Sequence, residues 1–464
     1  MRFTRWGMSV CVVSIAASAA ALGSPTACSS TNGKDTAGEG GEGGPGGPGR
    51  EGGSYSSDAQ SSADGTSAFD ATNAVDAVSP DGSVTSDTAS PSDGGDAGCG
   101  IGTLAATSVA VRFANMILAT WPDPRTLAGA TPAWEYNHGI VLHGIQEVYL
   151  RTKTPAYLAY IKEYVDDYVD DTGVVDMPDA HSFDNIQPAI LLPFLWQETG
   201  DAKYQLGALN IRTRFNTIPR NPDLGFWHKD IYPNQMWLDG IYMGEPFLSS
   251  YGATFDCDAF CDLTVVQQTT LIAAHVQDEA GLLYHAWDYS KSAAWANTTT
   301  GVSPSIWGRG DGWFAMSLVD TLGDMPEGTT GRSSVLAILQ RMAAGLKATQ
   351  DPTTGLWYEV VDQGAESSDW NETSGSGMFV YALKVATDKG YIDSSYEAAI
   401  HLGWQGLQTQ VSGTMTSPVI NNAVAGLDPQ TSYAGYVGAS RLSNSSQGLC
   451  AILLAASVME ATCP

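Results

Sequence analysis

The sequence predicts an all-α fold, an (α/α)6 barrel built from six helical hairpins. Two observations in its 464 residues lead to this prediction. From residue 101 onward, apolar residues recur at three- and four-residue spacing, which is the period of an amphipathic helix, and runs with strand propensity are few and short. The connections between the predicted helices alternate between short and long, so that in an antiparallel bundle every long loop emerges at one end.

The helical spacing predicts twelve helices, and turn residues mark several of their ends. Thr154-Pro155 opens one helix and Gly390 closes another. A weak internal repeat, GLLYHAWD at 281–288 and GLWYEVVD at 355–362, agrees with repeated hairpins. An irregular helical solenoid is the alternative, although solenoids usually show a clearer sequence period. The predicted helices span residues 101–120, 134–151, 154–171, 184–199, 201–216, 237–251, 261–279, 308–323, 333–350, 372–389, 393–411 and 444–461.

Residues 1–28 are predicted to be an export signal. Arg2 and Arg5 form a positive start, and the apolar run that follows from Met8 is too short and too rich in Ala to span a membrane. The string PTAC, which ends at Cys28, resembles a loose bacterial lipobox without its usual Leu. Lipidation of Cys28 and simple secretion both stay open, so we expect an exported protein that is either a cell-envelope lipoprotein or secreted.

Residues 29–98 are predicted to be a disordered acidic linker rich in Gly and Ser, which leaves residues 99–464 as the barrel domain. The linker holds twelve acidic and two basic residues and almost no large apolar side chains, so it cannot bury enough surface to fold. The whole chain has 22 Lys and Arg against 50 Asp and Glu, a net charge of −28. This balance argues against a nucleic-acid partner, whose phosphates are bound largely by Lys and Arg, but not against one small acidic sugar.

The cysteine pattern suits an oxidising compartment without indicating a dense disulfide scaffold. Cys257 and Cys261 are spaced to close a small loop. Because the first and last helices of a closed barrel are neighbours, we expect a bridge between Cys99 and Cys463, with Cys450 left free in an apolar helix. No second ligand pair with zinc spacing follows, and the sequence indicates neither a metal site nor a cofactor.

Aromatic and polar side chains concentrate in the long connections, where a rigid scaffold usually carries its site. Trp rings stack on sugar faces, while carboxylates and His hydrogen-bond hydroxyl groups or move protons, so this mixture predicts a carbohydrate pocket. The long connections cover residues 121–133, 172–183, 217–236, 280–307, 351–371 and 412–443. The candidate residues in or beside them are Asp184, Trp227, His228, Lys229, Tyr232, Trp237, Asp239, Tyr284, His285, Trp287, Asp288, Trp307, Arg309, Asp311, Trp313, Trp370, Glu372 and Ser374.

Several candidates also have a purely structural explanation. Asp184 and Asp239 stand at predicted helix starts, where Asp commonly serves as the N-cap. A single His such as His285 is often a satisfied structural group, and Arg309 has Asp311 two residues away as a simple ion-pair partner. These alternatives stay open from the residues alone.

Four longer strings occur in order between residues 134 and 460: WHKDIYPNQMWLDGIYMGEPFL, LLYHAWDYS, WGRGDGWFAMSLVDTL and NETSGSGMFVYAL. Together they resemble glycoside hydrolase family 105, the unsaturated rhamnogalacturonyl hydrolases, which are related to the unsaturated glucuronyl hydrolases of family 88. The fold of that family is an (α/α)6 barrel, in agreement with the loop pattern. The resemblance implies catalytic roles for Asp239, in the W-x-D motif of the family's proton donor, and for Asp184. It implies substrate binding by His228, Lys229, Trp237, His285, Trp307, Arg309 and Trp313.

One position departs from the family pattern. Asp311 stands where family members more often carry Asn, and an extra carboxylate beside Arg309 is expected to weaken the grip of Arg309 on a uronate. The mechanism that the resemblance implies also requires protonated Asp239. We therefore expect the pKa of Asp239 to lie above that of a free Asp, because Trp237 and other rings desolvate it and Asp184 repels its charge.

The resemblance implies an enzyme that removes a terminal 4,5-unsaturated galacturonyl residue from lyase-generated oligosaccharides, as in the degradation of rhamnogalacturonan in pectin. The expected partner is that oligosaccharide, with no nucleic acid, no cofactor, and membrane contact only through an N-terminal lipid anchor. Two alternatives are an unsaturated glucuronyl hydrolase and a surface glycan-binding lipoprotein without turnover.

Overall fold

The computed structural model describes residues 101–462. The predictions for Cys28, for the linker and for the Cys99–Cys463 bridge lie outside the described residues. Within 101–462 all twelve predicted helices are present, and a short helix, α12, is added inside the last long connection. The helices are α1 (Val109–Thr120), α2 (Tyr136–Thr152), α3 (Pro155–Tyr168), α4 (Leu191–Thr199), α5 (Ala202–Arg214), α6 (Leu238–Phe255), α7 (Asp258–Val276), α8 (Gly308–Asp324), α9 (Arg332–Thr349), α10 (Thr373–Asp388), α11 (Glu397–Thr409), α12 (Tyr433–Val437) and α13 (Ser446–Met459).

The helices form an inner and an outer ring. The inner ring runs α2, α4, α6, α8, α10 and α13, and it closes because α13 packs against α2. Each inner helix has an outer partner that is adjacent in the chain or at its end: α3, α5, α7, α9, α11 and α1. The buried faces of the two rings form one large apolar core. This is the arrangement of six hairpins that the alternating loop lengths predict.

Helix ends differ from the predictions where local chemistry stops or delays the helix. The first helix begins at Val109 because the Ser108 side chain accepts a hydrogen bond from a backbone N–H and caps it. α3 ends at Tyr168, since the Asp170 carboxylate accepts from the following backbone N–H groups and forms a turn instead. The helix predicted from 184 begins as two 3-10 segments, because Pro188 offers no N–H for an α-helical bond.

Short antiparallel strand pairs tie the long connections to one another. β1 (Gln235–Trp237) pairs with β2 (Ala286–Asp288), which places the start of α6 beside the loop after α7. The backbone N–H of Leu238 continues this pairing by donating to the carbonyl of His285 at 3.0 Å. The other pairs are β3 (Trp357–Tyr358) with β4 (Asn371–Glu372), β5 (Val411–Gly413) with β6 (Pro418–Ile420), and β7 (Ala423–Val424) with β8 (Arg441–Leu442).

The cysteine predictions that fall within the described residues are confirmed. Cys257, the N-cap of α7, and Cys261 form a disulfide across the first turn of that helix, and Cys450 is a free, buried thiol in α13. Between residues 101 and 462, no helix combines the length and the apolar run that crossing a membrane requires.

We predict that the barrel is sensitive to volume at its closing seam. A Cβ atom added at Gly144 of α2 would lie 2.8 Å from the Cβ of Leu453 in α13, so Gly144→Ala forces the two helices apart. Overpacking of this kind costs about 1–3 kcal/mol, and the melting temperature should fall. Gly323→Ala is the matched control, because that helical glycine has open space around it. It should be neutral or stabilising, since Ala is the better helix former by roughly 1 kcal/mol. Equal shifts for the two variants would contradict the close approach of α2 and α13.

Candidate active site

A pocket opens at the end of the barrel where the long connections meet. The starts of inner helices supply part of its wall, and loops between them supply the rest. All of the sequence-predicted catalytic and binding residues line it except His285, which lies directly behind Asp239. The lining residues are Tyr136, Asp184, His228, Lys229, Trp237, Asp239, Met243, Trp307, Arg309, Trp313, Gly426, Leu427, Asp428 and Gln447.

Neither pocket carboxylate serves as a helix cap. Asp239 lies in the first turn of α6, after Trp237, and Asp184 lies inside a 3-10 segment; in both segments the N-cap residue makes no side-chain capping bond. The N-cap explanation of these two residues is therefore wrong. Their side chains are instead engaged with a histidine and a lysine, and both remain partly exposed to the pocket.

Asp239 is held by a buried chain of hydrogen bonds. Its Oδ2 lies 2.9 Å from Nε2 of His285, and Nδ1 of His285 lies 3.0 Å from the hydroxyl of Tyr436. The same hydroxyl accepts the backbone N–H of Gln430, which holds it beside the imidazole. The Nε2–H of His285 donates to Asp239 whether the ring is neutral or charged. His285 is therefore a buried structural group that also acts on the pocket through Asp239.

The expectation that the pKa of Asp239 is raised is wrong for the free enzyme. Burial does push this pKa upward, but the charge and hydrogen bond of His285 outweigh it and lower the pKa below that of a free Asp. The desolvating rings and the charge of Asp184 can be inferred from the sequence. The contact with His285 cannot, because His285 is 46 residues away in the chain and reaches Asp239 only through the β1–β2 pair.

The pKa of Asp184 is shifted in the opposite direction to that of Asp239. Lys229 Nζ lies 2.5 Å from its Oδ2, and His228 Nε2 lies 3.8 Å from its Oδ1. Burial is the largest influence and raises the pKa of Asp184 above the ordinary value, with repulsion from Asp239 acting in the same direction and Lys229 opposing. The two pocket carboxyl groups thus have pKa values displaced in opposite directions, which is typical of acid–base sites.

His228 is a neutral, buried ring in the pocket wall. It stacks on Trp237 with ring centroids 4.4 Å apart. Burial, assisted by the positive charge of Lys229, lowers its pKa to about 3. Its backbone is fixed on both sides, since its N–H donates to Gln235 and its carbonyl accepts from Phe183. The ring therefore acts as a hydrogen-bonding group and not as a fixed charge.

Arg309 contacts a loop and not Asp311. Its guanidinium donates to the carbonyl of Val424 at 2.6 Å and to that of Ala425, and it lies 5.0 Å from the centre of the Trp307 ring. Asp311 points away into the core, where one oxygen accepts the Leu283 N–H at 3.2 Å. The interpretation of Asp311 as the ion-pair partner of Arg309 is therefore wrong, and the expected effect on a uronate loses its structural basis. Burial raises the pKa of Asp311 well above its ordinary value.

Two tryptophans supply apolar surface on the α8 side of the pocket. Trp307 is fixed by a hydrogen bond from its Nε1 to Glu359 at 2.9 Å, and its ring lies 4.5 Å from that of His285. Trp313 stacks on Tyr242 of α6 at 4.8 Å. Both rings are almost fully buried, so the faces that they offer a ligand are small and rigid.

Several candidates named from composition lie outside the pocket and have structural roles. Asp288 caps its own turn by accepting backbone N–H groups, and the Trp287 ring stacks on His275. Glu372 caps α10 by accepting the backbone N–H groups of Ser374 and Gly375, and the Ser374 hydroxyl also donates to Glu372. These residues share a loop with pocket residues, but they point into the scaffold.

Three polar residues of the pocket wall were not among the candidates predicted from the sequence. Tyr136 and Gln447 stand at the starts of α2 and α13, and Asp428 lies in the last long connection. The loop-length pattern places all three at the end of the barrel where the site lies, and this was the available signal. Asp428 accepts from the Tyr232 hydroxyl at 2.8 Å, which joins two long connections across the pocket. Among residues 101–462, no group of three or more His, Cys, Asp or Glu side chains is arranged to hold a metal ion.

The fold and this pocket define a helical-barrel glycoside hydrolase, and comparison with known proteins agrees. The model of Glycosyl Hydrolase Family 88 matches residues 109–462. A solved family 105 glycoside hydrolase from C. acetobutylicum ATCC 824 is similar with a TM-score of 0.71 and 32% identity, covering 76% of this chain and 99% of that one. The chain belongs to Glycosyl Hydrolase Family 88, and its resemblance to family 105 and the (α/α)6 barrel are confirmed.

Two curated relatives have lower coverage. Unsaturated rhamnogalacturonyl hydrolase YesR of Bacillus subtilis (strain 168) is 24% identical over 257 residues, which is 54% of this chain and 70% of the relative. Protein Atu3128 of Agrobacterium fabrum is 36% identical over 166 residues, which is 36% of this chain and 70% of the relative. The family model and the match to YesR support an unsaturated glycosyl hydrolase and an oligosaccharide substrate.

We predict that Asp311→Asn leaves catalysis unchanged and stabilises the fold as pH rises. In the unfolded chain Asp311 loses its proton near its ordinary pKa of about 4, whereas the folded protein keeps it, so rising pH favours unfolding of the wild type. Asn has no such proton to lose. Melting temperatures of the two proteins should be similar near pH 4 and should diverge in favour of the variant toward pH 8.

Asp171→Asn is the control for this measurement, since Asp171 is exposed. A melting-temperature gain that is independent of pH, or a raised KM for Asp311→Asn, would contradict the assignment of Asp311 as a neutral core group.

Proposed function

We propose that this chain removes a terminal 4,5-unsaturated galacturonyl residue from lyase-generated oligosaccharides by adding water across its vinyl ether. The observation that carries the proposal is the convergence of two carboxyl groups, Asp184 and Asp239, with Lys229 and Arg309 in one pocket that Trp rings line. A uronate brings one negative charge and one sugar ring, which these cations and ring faces complement. The likeness to YesR, an unsaturated rhamnogalacturonyl hydrolase, favours a galacturonyl over a glucuronyl substrate.

The proposed reaction begins with proton transfer to C4 of the C4=C5 bond, which leaves oxocarbenium character on C5 and the ring oxygen. Water adds to C5 and gives up a proton, and the product is a hemiketal. The hemiketal opens and releases the neighbouring sugar and a keto-uronate. One carboxyl group can supply the first proton and accept the second, whereas ordinary glycosidases need two at a defined separation.

Asp239 is the proton carrier in this mechanism. In the free enzyme its carboxyl group is ionised, because His285 lowers its pKa. The bound uronate displaces water and adds a negative charge beside Asp239, and both effects favour protonation of Asp239, whereas Lys229 opposes protonation of Asp184. Asp184, held by Lys229, faces the same pocket and stabilises the positive charge that develops at C5.

We predict that Asp239→Asn reduces turnover of an unsaturated galacturonyl-rhamnose disaccharide by at least about 10²- to 10⁴-fold, the usual range for loss of a general acid–base. The assay follows the loss of alkene absorbance. Wild-type turnover in heavy water should place deuterium at C4 of the keto-uronate, and labelled water oxygen should appear at C5. Asp311→Asn is the matched control and should turn over at the wild-type rate, because its carboxyl group lies outside the pocket.

The saturated disaccharide should be inert, since it has no double bond to protonate. Cleavage of the saturated compound, or product without deuterium at C4, would overturn the hydration mechanism. A panel of unsaturated galacturonyl and glucuronyl disaccharides identifies the substrate class. Binding without any change in alkene absorbance would instead identify a glycan-binding protein.

We predict that removing the His285 ring moves the basic limb of the kcat/KM profile to higher pH. The profile of the free enzyme falls as pH rises through the pKa of the group that must be protonated, here Asp239. His285→Leu removes the hydrogen bond and the charge that lower this pKa, so the fall should come later although the maximal rate drops. Tyr436→Phe keeps the imidazole and should give a smaller shift. An unchanged limb, or one moved to lower pH, would show that Asp239 is not the acid.

A further inference from the structure

A second, smaller cavity lies behind the His228 ring, on the side away from the main pocket. His228 and Trp237 line both spaces, so these two rings form the partition between them. The cavity measures about 10 Å³, close to the room that one buried water molecule needs. Its other walls are Phe183, Phe226, Met236, Gly240, Ile241, Glu245 and Gln268.

Two buried polar atoms face this cavity without a partner among the described residues. They are Nδ1 of His228 and Oε2 of Glu245, whose residues are 2% and 1% exposed. The remaining polar side chain, Gln268, is already engaged, since its amide donates to the Leu224 carbonyl and accepts the Phe226 N–H. Buried polar atoms in folded proteins are nearly always hydrogen-bonded, to protein or to ordered water.

Gly240 shows how closely the Nδ1 side of the His228 ring packs against α6. A Cβ added there would lie 2.9 Å from Nδ1 of His228. The ring therefore packs directly on the α6 backbone at Gly240, three residues after the end of β1. Any change in the hydrogen bonding of Nδ1 acts on a ring that has little room to move.

We propose that Glu245 is a positioning residue for the site: through one water molecule held in this cavity, its carboxyl group keeps Nδ1 of His228 an acceptor and so directs the Nε2–H of His228 into the pocket. The Nε2 atom of His228 faces the pocket and lies 3.8 Å from Asp184, where the uronate would bind. The effect of this hydrogen bond on catalysis therefore rests on the proposed function.

The protonation states of Glu245 and His228 agree with hydrogen bonds that run from Glu245 through the water to Nδ1 of His228. Burial raises the pKa of Glu245 well above the ordinary value, with Arg220 opposing only partly, so the carboxyl group is neutral and can donate. The carboxyl O–H donates to the water, and the water donates to Nδ1. His228 then carries its single proton on Nε2, since burial also keeps this ring uncharged at neutral pH.

The test compares Glu245→Met with Glu245→Gln in the full-length protein. Met has a similar volume and removes the hydrogen-bonding group, whereas Gln keeps a donor that cannot ionise. Long-range ¹⁵N–¹H spectra of protein with labelled histidine report the tautomer of each ring, and the His228→Asn spectrum identifies the His228 signals among the seven histidines. We expect the Nε2–H tautomer in the wild type and in Glu245→Gln, and its loss in Glu245→Met.

The kinetic readout separates positioning from folding. For Glu245→Met we expect kcat to fall on the order of tenfold at an unchanged melting temperature, as is typical when a supporting hydrogen bond to a site residue is removed, and Glu245→Gln should match the wild type. Gly240→Ala leaves the carboxyl group in place but crowds Nδ1, and it should also shift the His228 signals.

An Nδ1–H tautomer in the wild type, or an unchanged tautomer in Glu245→Met, would overturn the proposal. Because the spectra are recorded on the resting protein, they decide it even if no unsaturated disaccharide proves to be a substrate.

Discussion

Closure of the inner helical ring is the constraint on which the site depends. α13 packs against α2, and this contact brings Gln447 and Tyr136, more than 300 residues apart in the chain, to one wall of the pocket. The other walls come from the starts of α6 and α8. Helix N-termini carry partial positive charge, so their convergence at the pocket attracts an anion even though the chain as a whole carries −28. A small acidic sugar is thus compatible with a strongly acidic protein.

Burial gives the charged groups of this pocket different properties from those of surface groups. Asp239 and Asp184 are both desolvated, yet one has a histidine as its partner and the other a lysine, and their pKa values move in opposite directions. His228 is buried beside Lys229 and is therefore neutral. In the free enzyme Asp239 therefore holds its charge, and the proposed proton transfer requires that the bound substrate raise the pKa of Asp239.

The periodicity of apolar residues and the loop lengths predicted the barrel, because each helix buries one apolar face and all long loops emerge at the same end. The same reasoning placed Asp184, Asp239 and Arg309 at the site. It failed where contacts across the fold decide the chemistry. The pKa of Asp239 depends on His285, which the β1–β2 pair brings near. The orientation of Asp311 depends on its position in α8, whose first turn is entirely buried, so sequence proximity to Arg309 was misleading.

The last long connection is coupled to the acid–base pair through several separate contacts. Arg309 donates to the carbonyls of Val424 and Ala425, Tyr232 donates to Asp428, and the hydroxyl of Tyr436 in α12 lies within hydrogen-bond distance of Nδ1 of His285. A loop of this length would ordinarily be the most variable part of the wall. Here hydrogen bonds attach the loop to the scaffold on both sides of the pocket. One of them is made to His285, the residue that lowers the pKa of Asp239. The role of Arg309 is therefore double: it leaves positive charge beside the ligand site, and it keeps the loop that orders the catalytic hydrogen bonds in place.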